Sequence, residues 1–258
     1  MTDRLLDAAL DAARAAGAIA LRYFRGDVRV MQKADQTPVT QADQEAEATI
    51  VERLRTSFPD IGFLGEEFGA QGAQARRWIV DPIDGTKNFV RGIPYWATLL
   101  ALEEEGEITL GVVHAPATGE LYWARRGQGA FLDGVRLRVS SFDRLEPAML
   151  VHSSLKLLRS LEGGRYWEGF VRLVDRTDRQ RGFGDYLGYT FVLRGQAELM
   201  LEVDLKPWDL APFRVLFEEA GGRFTDFAGR PTIYTGTALA TNGRLHGEAL
   251  ALLNGSRG

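Results

Sequence analysis

The chain predicts a layered α/β (α+β) protein, and three observations carry that expectation. It opens with two amphipathic helical stretches, continues with a block of short strand-like segments joined by polar turns, and then mixes helices with strands to its end. At 258 residues it is long enough to bury a large core. No internal repeat, low-complexity tract or long linker interrupts it. One domain over residues 1–258 is therefore expected, with an N-terminal half of about 1–145 that holds the strand block and a C-terminal half of about 146–258.

Residues 3–24 place Leu6, Leu10, Ala13, Gly17, Leu21 and Phe24 on one helical stripe. After a loop with Pro38, residues 42–58 form a second helix with Ala46, Ile50, Leu54 and Phe58 as its apolar face. Residues 78–81 read as a strand. Residues 95–102 and 108–115, joined by EEEGE, and residues 121–124 and 130–139 read as an antiparallel meander punctuated by Thr118-Gly119 and Asp133-Gly134. Residues 149–152 make a strand, and 154–174 a helical stretch broken at Gly163-Gly164. Residues 186–194 make a helix ended by Gly195, and 198–203 a strand. Residues 208–220 make a helix with Pro207 at its first turn and Gly221-Gly222 past its end. Residues 223–227 and 239–242 are strand-like, and 246–253 close the chain as a helix.

The net charge of −4 and the scattered Lys and Arg offer no basic field for nucleic acid. With no cysteine there is no disulfide framework, thiolate metal site or cysteine nucleophile, which fits a reducing compartment. Asp3, Asp7 and Asp11 interrupt the first apolar residues, unlike a signal-peptide core, and no apolar run is long enough to span a bilayer. A soluble cytoplasmic protein without membrane or nucleic-acid partners is expected.

The segment WIVDPIDGTKNF, residues 78–89, is the most informative. An apolar run ends in Asp81, and Asp84, Gly85 and Thr86 follow. Two carboxylates at the mouth of a buried strand are expensive to keep ionised without a counter-charge. A hard divalent cation supplies one, since Mg²⁺ takes oxygen ligands and sits between carboxylates and substrate phosphate. The competing reading is a plain turn, because Asp-Pro and Asp-Gly both favour turns. Further acids are candidate partners. Glu66 and Glu67 lie between Gly65 and Gly69, where a solvated loop is the alternative. Asp209 lies in the first turn of its helix, where the helix dipole alone favours an acid. Asp43 follows Thr40 by three as in a capping box, yet shares its helical face with Ala46, Ile50 and Leu54. Together these acids suit two-metal phosphoryl chemistry, in which a Thr hydroxyl and a nearby Asp activate water.

GEEF (65–68), WIVDPIDGTKNF and PWDLAPFRVLFEEAGG (207–222) resemble, in order and spacing, three signature segments of the inositol monophosphatase family, and the resemblance spans essentially the whole chain. It implies an α-β-α-β-α sandwich, usually a homodimer, that hydrolyses a small phosphomonoester with Mg²⁺ and is sensitive to Li⁺. Carried over residue by residue, it implies Glu66, Asp81, the Ile83 carbonyl, Asp84 and Asp209 as metal ligands, with Asp81 bridging. Thr86 and Asp43 would activate water, Glu67 would support the water network, and Gly85 and Thr86 would hold phosphate through their backbone N–H groups.

DGTKNFVRGIPYWATLLAL (84–102) and GFGDYLGYTFVLRGQAELML (182–201) look closer to the histidinol-phosphatase branch. Histidinol phosphate carries an ammonium and an imidazole, so carboxylates near the leaving alcohol favour it over neutral inositol. The resemblance puts Asp185 and Glu202 there. Their plain alternatives are a helix N-cap for Asp185 and an exposed strand position for Glu202. His114, His152 and His246 show no metal spacing and read as structural or surface residues. Gly127-Gln128-Gly129 reads as a turn, and Arg176–Arg181 as solvated, with one arginine able to enter the rim. The leading expectation is histidinol-phosphate hydrolysis. Rivals are an inositol-phosphate phosphatase on the same scaffold, a regulatory binding protein that keeps the fold, and a 3′-nucleotidase, for which no basic cluster is present.

Overall fold

The structure, a computed structural model, describes residues 3–24, 30–32 and 38–255. Within them the first half runs α1 (Arg4–Tyr23), β1 (Val30–Gln32), β2 (Pro38–Thr40), α2 (Gln41–Ser57), β3 (Gly62–Gly65), β4 (Gly69–Gln71), β5 (Arg76–Asp84), α3 (Thr86–Val90), β6 (Ala97–Glu104), β7 (Glu107–Ala115), β8 (Glu120–Arg125), β9 (Gly129–Leu132) and β10 (Val135–Arg136). The second half runs β11 (Met149–His152), α4 (Leu155–Ser160), α5 (Trp167–Arg176), β12 (Arg179–Gly182), α6 (Asp185–Leu193), β13 (Leu199–Val203), α7 (Pro207–Ala220), β14 (Arg223–Thr225), β15 (Thr237–Thr241) and α8 (His246–Leu253).

Five layers follow from where these elements bury their apolar faces. α1 and α2 pack on one face of an eight-stranded sheet ordered β10-β9-β8-β7-β6-β5-β3-β4. α6 and α7 fill the space between that sheet and a five-stranded sheet ordered β12-β11-β13-β15-β14, and α4, α5 and α8 cover its far face. This is the α-β-α-β-α sandwich. The middle layer is tight: a Cβ on Gly111 of β7 would lie 2.6 Å from the Pro212 carbonyl oxygen of α7. Among the described residues no helix is long and apolar enough to cross a membrane.

The meander β6–β10 is antiparallel throughout, as its alternation and turns predict. Several boundaries differ. The first helix turns an alanine-rich face inward (Leu6, Ala9, Ala12, Ala13, Ala16, Gly17 and Ala20); Leu10 packs at its edge, partly buried, and Leu21 is 40% exposed. Steps of four drift 40° each around a helix of 3.6 residues per turn, so Leu21, two such steps beyond Ala13, rotates off the face. Strand β6 begins at Ala97 rather than at residue 95. The strand read over 130–139 splits into β9 and β10, because Asp133 and Gly134 take positive φ (48° and 82°) in the turn between them. The stretch 154–174 breaks into α4, a 3-10 turn and α5, with Glu162 and Gly163 at φ 45° and 69°. Strands β3, β4 and β12 were not legible. They are three or four residues long, too short for an alternation to register, so pairing with neighbours makes them strands.

Candidate active site

The site is a cleft of about 510 Å³ where the end of β5, the turn after β3, the end of β13 and the first turns of α6 and α7 meet. Glu66, Asp81, Asp84, Asp185, Glu202 and Asp209 all line it. Strand geometry explains how one segment supplies two of them. Residues three apart on a regular strand point to opposite faces. Opposite β6, however, Asp81 pairs with Leu99 and Asp84 with Ala97, so β5 carries one extra residue in a bulge at Pro82-Ile83. Pro82 has no ladder N–H to lose there, and its carbonyl accepts from the Thr98 hydroxyl at 2.9 Å. The bulge re-aims Asp84 to the side of Asp81.

Four of these carboxylates are oriented in the same way: one oxygen accepts a backbone N–H. Asp81 Oδ1 accepts from Ile83 (2.9 Å), and Asp84 Oδ2 from Tyr186 (2.6 Å). Glu202 Oε1 accepts from Asp185 (3.1 Å), and Asp209 Oδ2 from Lys206 (2.7 Å). The turn reading of Asp81 and the first-turn helix position of Asp209 are thus realised together with the clustering, because each carboxylate has a second oxygen. Carboxylate oxygens of Asp81, Asp84 and Asp209 lie within 4.8 Å of one another, a spacing one cation can bridge. Glu66 lies against Asp81, close enough to raise its pKa.

Burial dominates the electrostatics. It pushes Asp81 well above the ordinary carboxylate range, helped by the charges of Glu66, Asp84 and Asp209. Asp84 is raised likewise by burial and by Asp185, Asp209 and Glu202. Burial, reinforced by neighbouring acids, puts Asp209 at about 7 and Glu202 at about 8. Among the described residues no ion pair reaches these four, and the group beside Glu202 is the neutral Tyr189 hydroxyl. All-oxygen donors at this density, unpaired and buried, fit a hard divalent cation.

The remaining expected residues fall as follows. Ile83 is buried, and its carbonyl accepts the Thr86 hydroxyl at 3.0 Å. Gly85 takes φ 84°, and a Cβ there would lie 3.1 Å from the Tyr95 carbonyl oxygen. Asp185 is not the N-cap of α6; Gly184 occupies that position, and the N–H groups of Asp185 and Tyr186 are received by Glu202 and Asp84. Asp185 itself sits at φ 56°, sparsely populated for a non-glycine, with Asn88 Nδ2 donating to its Oδ2 at 3.1 Å. Glu202 is 5% exposed, so the exposed-strand alternative fails. Asp43 is buried on α2, but neither it nor Glu67 lines the cleft among the described residues.

Sequence reasoning passed over Glu47, buried one helical turn after Asp43, and Asn88. The signal for Glu47 was present, since it falls on the apolar face with Ala46 and Ile50. His152 lines the cleft, whereas His114 bonds to the Ala13 carbonyl. His246 lies between the Thr225 and Thr241 hydroxyls, where burial lowers its pKa to about 4. The arginine at the rim is Arg91; Arg179 and Arg181 face solvent from β12.

Comparison with known proteins agrees with this geometry. Residues 1–257 match the inositol monophosphatase family. The histidinol-phosphatase of Mycobacterium tuberculosis is 45% identical over 240 residues, 91% of each chain, and that of Streptomyces coelicolor 43% identical over 252 residues, 94% of each. Among solved structures, the extragenic suppressor protein SuhB of Bartonella henselae superimposes with a TM-score of 0.88 at 33% identity, covering 96% of this chain and 98% of that one. The chain is a phosphomonoester hydrolase. It belongs to the inositol monophosphatase family.

Proposed function

We propose that this phosphatase is Mg²⁺-dependent and hydrolyses histidinol phosphate to histidinol and phosphate. The observation that carries the reading is one cleft lined by more acids than a metal and phosphate alone would use. Asp81, Asp84 and Asp209 converge to within 4.8 Å, and Asp185 and Glu202 line the same cleft beside them. The first three suit metal and phosphate. The other two suit a cationic leaving group, which histidinol has and inositol lacks. Likeness to the two histidinol-phosphatases supports the same choice.

In this reading Glu66, Asp81, the Ile83 carbonyl, Asp84 and Asp209 hold the metal. When bound, Mg²⁺ neutralises phosphate oxygens and the departing alkoxide. The chain's own residues do the rest. Thr86 commits its hydroxyl proton to the Ile83 carbonyl, which leaves its oxygen lone pairs to accept a hydrogen bond from the attacking water and orient it, while the Asp43 carboxylate takes the water's proton. Asp43 is the acid assigned to that water, and Glu67 supports it. Ala42, next to Asp43, belongs to one packed cluster with Ile83 and Phe89, which draws the first turn of α2 toward the end of β5. Gly85 and Thr86 present backbone N–H groups to phosphate. Asp185, held by Asn88, and Glu202 orient the ammonium or imidazole. The reading also takes residues 1–258 as one catalytic domain and the working form as a homodimer.

Phosphate release from histidinol phosphate and from inositol 1-phosphate, with and without Mg²⁺, tests the proposal. Release that needs Mg²⁺ and favours histidinol phosphate is expected. A preference for inositol phosphate overturns the substrate, and undiminished release after chelation overturns the metal.

A further inference from the structure

We infer that Glu47 is a positioning residue: from behind the cleft it clamps the Glu66–Phe68 turn and so aims Glu66 at the metal site. The inference rests on the metal-dependent reading above.

Glu47 is 1% exposed and does not line the cleft. Its Oε2 accepts the Glu67 N–H at 2.8 Å, and its Oε1 accepts the Phe68 N–H at 3.1 Å. The preceding N–H, of Glu66, donates to the Val80 carbonyl at 3.1 Å, one residue before Asp81. All three N–H groups of the turn are therefore assigned, one to β5 and two to a single side chain of α2. Loose acceptors would let a three-residue turn between β3 and β4 wander. A carboxylate that receives two adjacent N–H groups fixes both its position and its tilt.

Gly65 makes room for the clamp. A Cβ at that position would lie 1.8 Å from Glu47 Oε1, and Gly65 does not need glycine for its backbone, since its φ is not positive. The residue is small because the carboxylate needs the space. The clamp also ties the acid assigned to water to the metal arm. Asp43 and Glu47 sit one turn apart on α2, so the bond from Glu47 to the turn sets where Glu66 stands relative to Asp43. Apolar packing of α2 on the sheet does not need an ion here; Ala46, Ile50 and Leu54 already supply it.

The test compares wild type with Glu47→Gln, Glu47→Ala, Gly65→Ala and the double variant Gly65→Ala/Glu47→Ala. Calorimetric Mg²⁺ or Mn²⁺ binding needs no substrate; KM and kcat at saturating metal are read alongside it. Loss of an outer partner of a metal ligand typically costs about tenfold or more in metal affinity, and that loss is expected for Glu47→Ala. KM at saturating metal is expected to hold, with Glu47→Gln intermediate, because its amide can accept only one of the two N–H groups. Gly65→Ala pushes aside the end of a flexible side chain rather than backbone, so it should fold and reproduce the metal defect. In the double variant it should add little. Metal affinity within twofold of wild type in folded Gly65→Ala and Glu47→Gln overturns the inference, even if melting temperatures fall. A wild type that binds metal but releases no phosphate overturns the proposed function while leaving the clamp testable by calorimetry alone.

Discussion

The two ends of strand β5 bury acids to a similar depth and treat them in opposite ways. At its start, Arg77 donates through Nε to Glu103 Oε2 at 2.7 Å, and the Tyr234 hydroxyl donates to the other oxygen of Glu103, which is 3% exposed. Arg77 also reaches the Tyr234 hydroxyl at 3.0 Å and Gln74 at 2.7 Å. At its end, four and seven residues beyond Arg77, Asp81 and Asp84 are as deeply buried, yet their neighbours are other acids. One end is neutralised from within the chain. The other has acids for neighbours and no ion pair among the described residues, which marks it as the candidate working end.

The largest effect expected from breaking this contrast is at the working end. Replacing Asp84 with Asn removes a charge that the proposed metal would need, and phosphate release should fall by about a thousandfold or more. The metal-free protein should unfold no more easily than wild type, since a repulsive charge has gone. Thermal melting with chelator present checks this; a marked loss of metal-free stability would show that Asp84 is paired after all. At the other end, Glu103→Gln breaks the internal pair and leaves Arg77 without its partner. Because Arg77 is partly solvated, the loss should be about 2 kcal/mol, read by denaturant unfolding, with activity per folded molecule unchanged.

A smaller effect is expected at the leaving-group wall. Asp185→Asn should raise KM for histidinol phosphate about tenfold and leave inositol phosphate nearly unaffected, which paired kinetics with the two esters would reveal.

The smallest effect is on the pH dependence of the metal-free protein. Asp209 at about 7 and Glu202 at about 8 are raised above the ordinary carboxylate range near 4, mainly by burial. Between those limits the folded state holds protons that the unfolded state has released, so these groups make stability fall as pH rises. Without metal, the melting temperature should be lower at pH 8 than at pH 5.5. Divalent cation should raise it more at pH 8, where the ion no longer competes with protons. Equal shifts at both values would mean that the cluster is already compensated.

Much of this architecture was legible beforehand for reasons that can be traced to particular residues. Ala46, Ile50 and Leu54 repeat with helical spacing, and the core side of α2 follows. EEEGE and Asp133-Gly134 mark turns by their own backbone preferences, and the meander follows from them. Asp81, Asp84 and Asp209 stood out because carboxylates in apolar surroundings are costly wherever they fall. Less legible were Glu47 and Asn88, whose partners are 20 and 97 residues away. The short strands β3, β4 and β12 carry too few residues for a period to register.

Residue types and their local spacing thus settle where helices, turns and the costly acids lie, because those depend on interactions within a few positions of the chain. Which oxygen of each acid is tied and which is left for a ligand is another matter. Asp84 is held by the N–H of Tyr186, 102 residues on, and its aim depends on a bulge that exists only against β6. Hydrogen bonds of that reach form when layers stack, so the composition of the cleft is written along the chain while its directionality comes from packing.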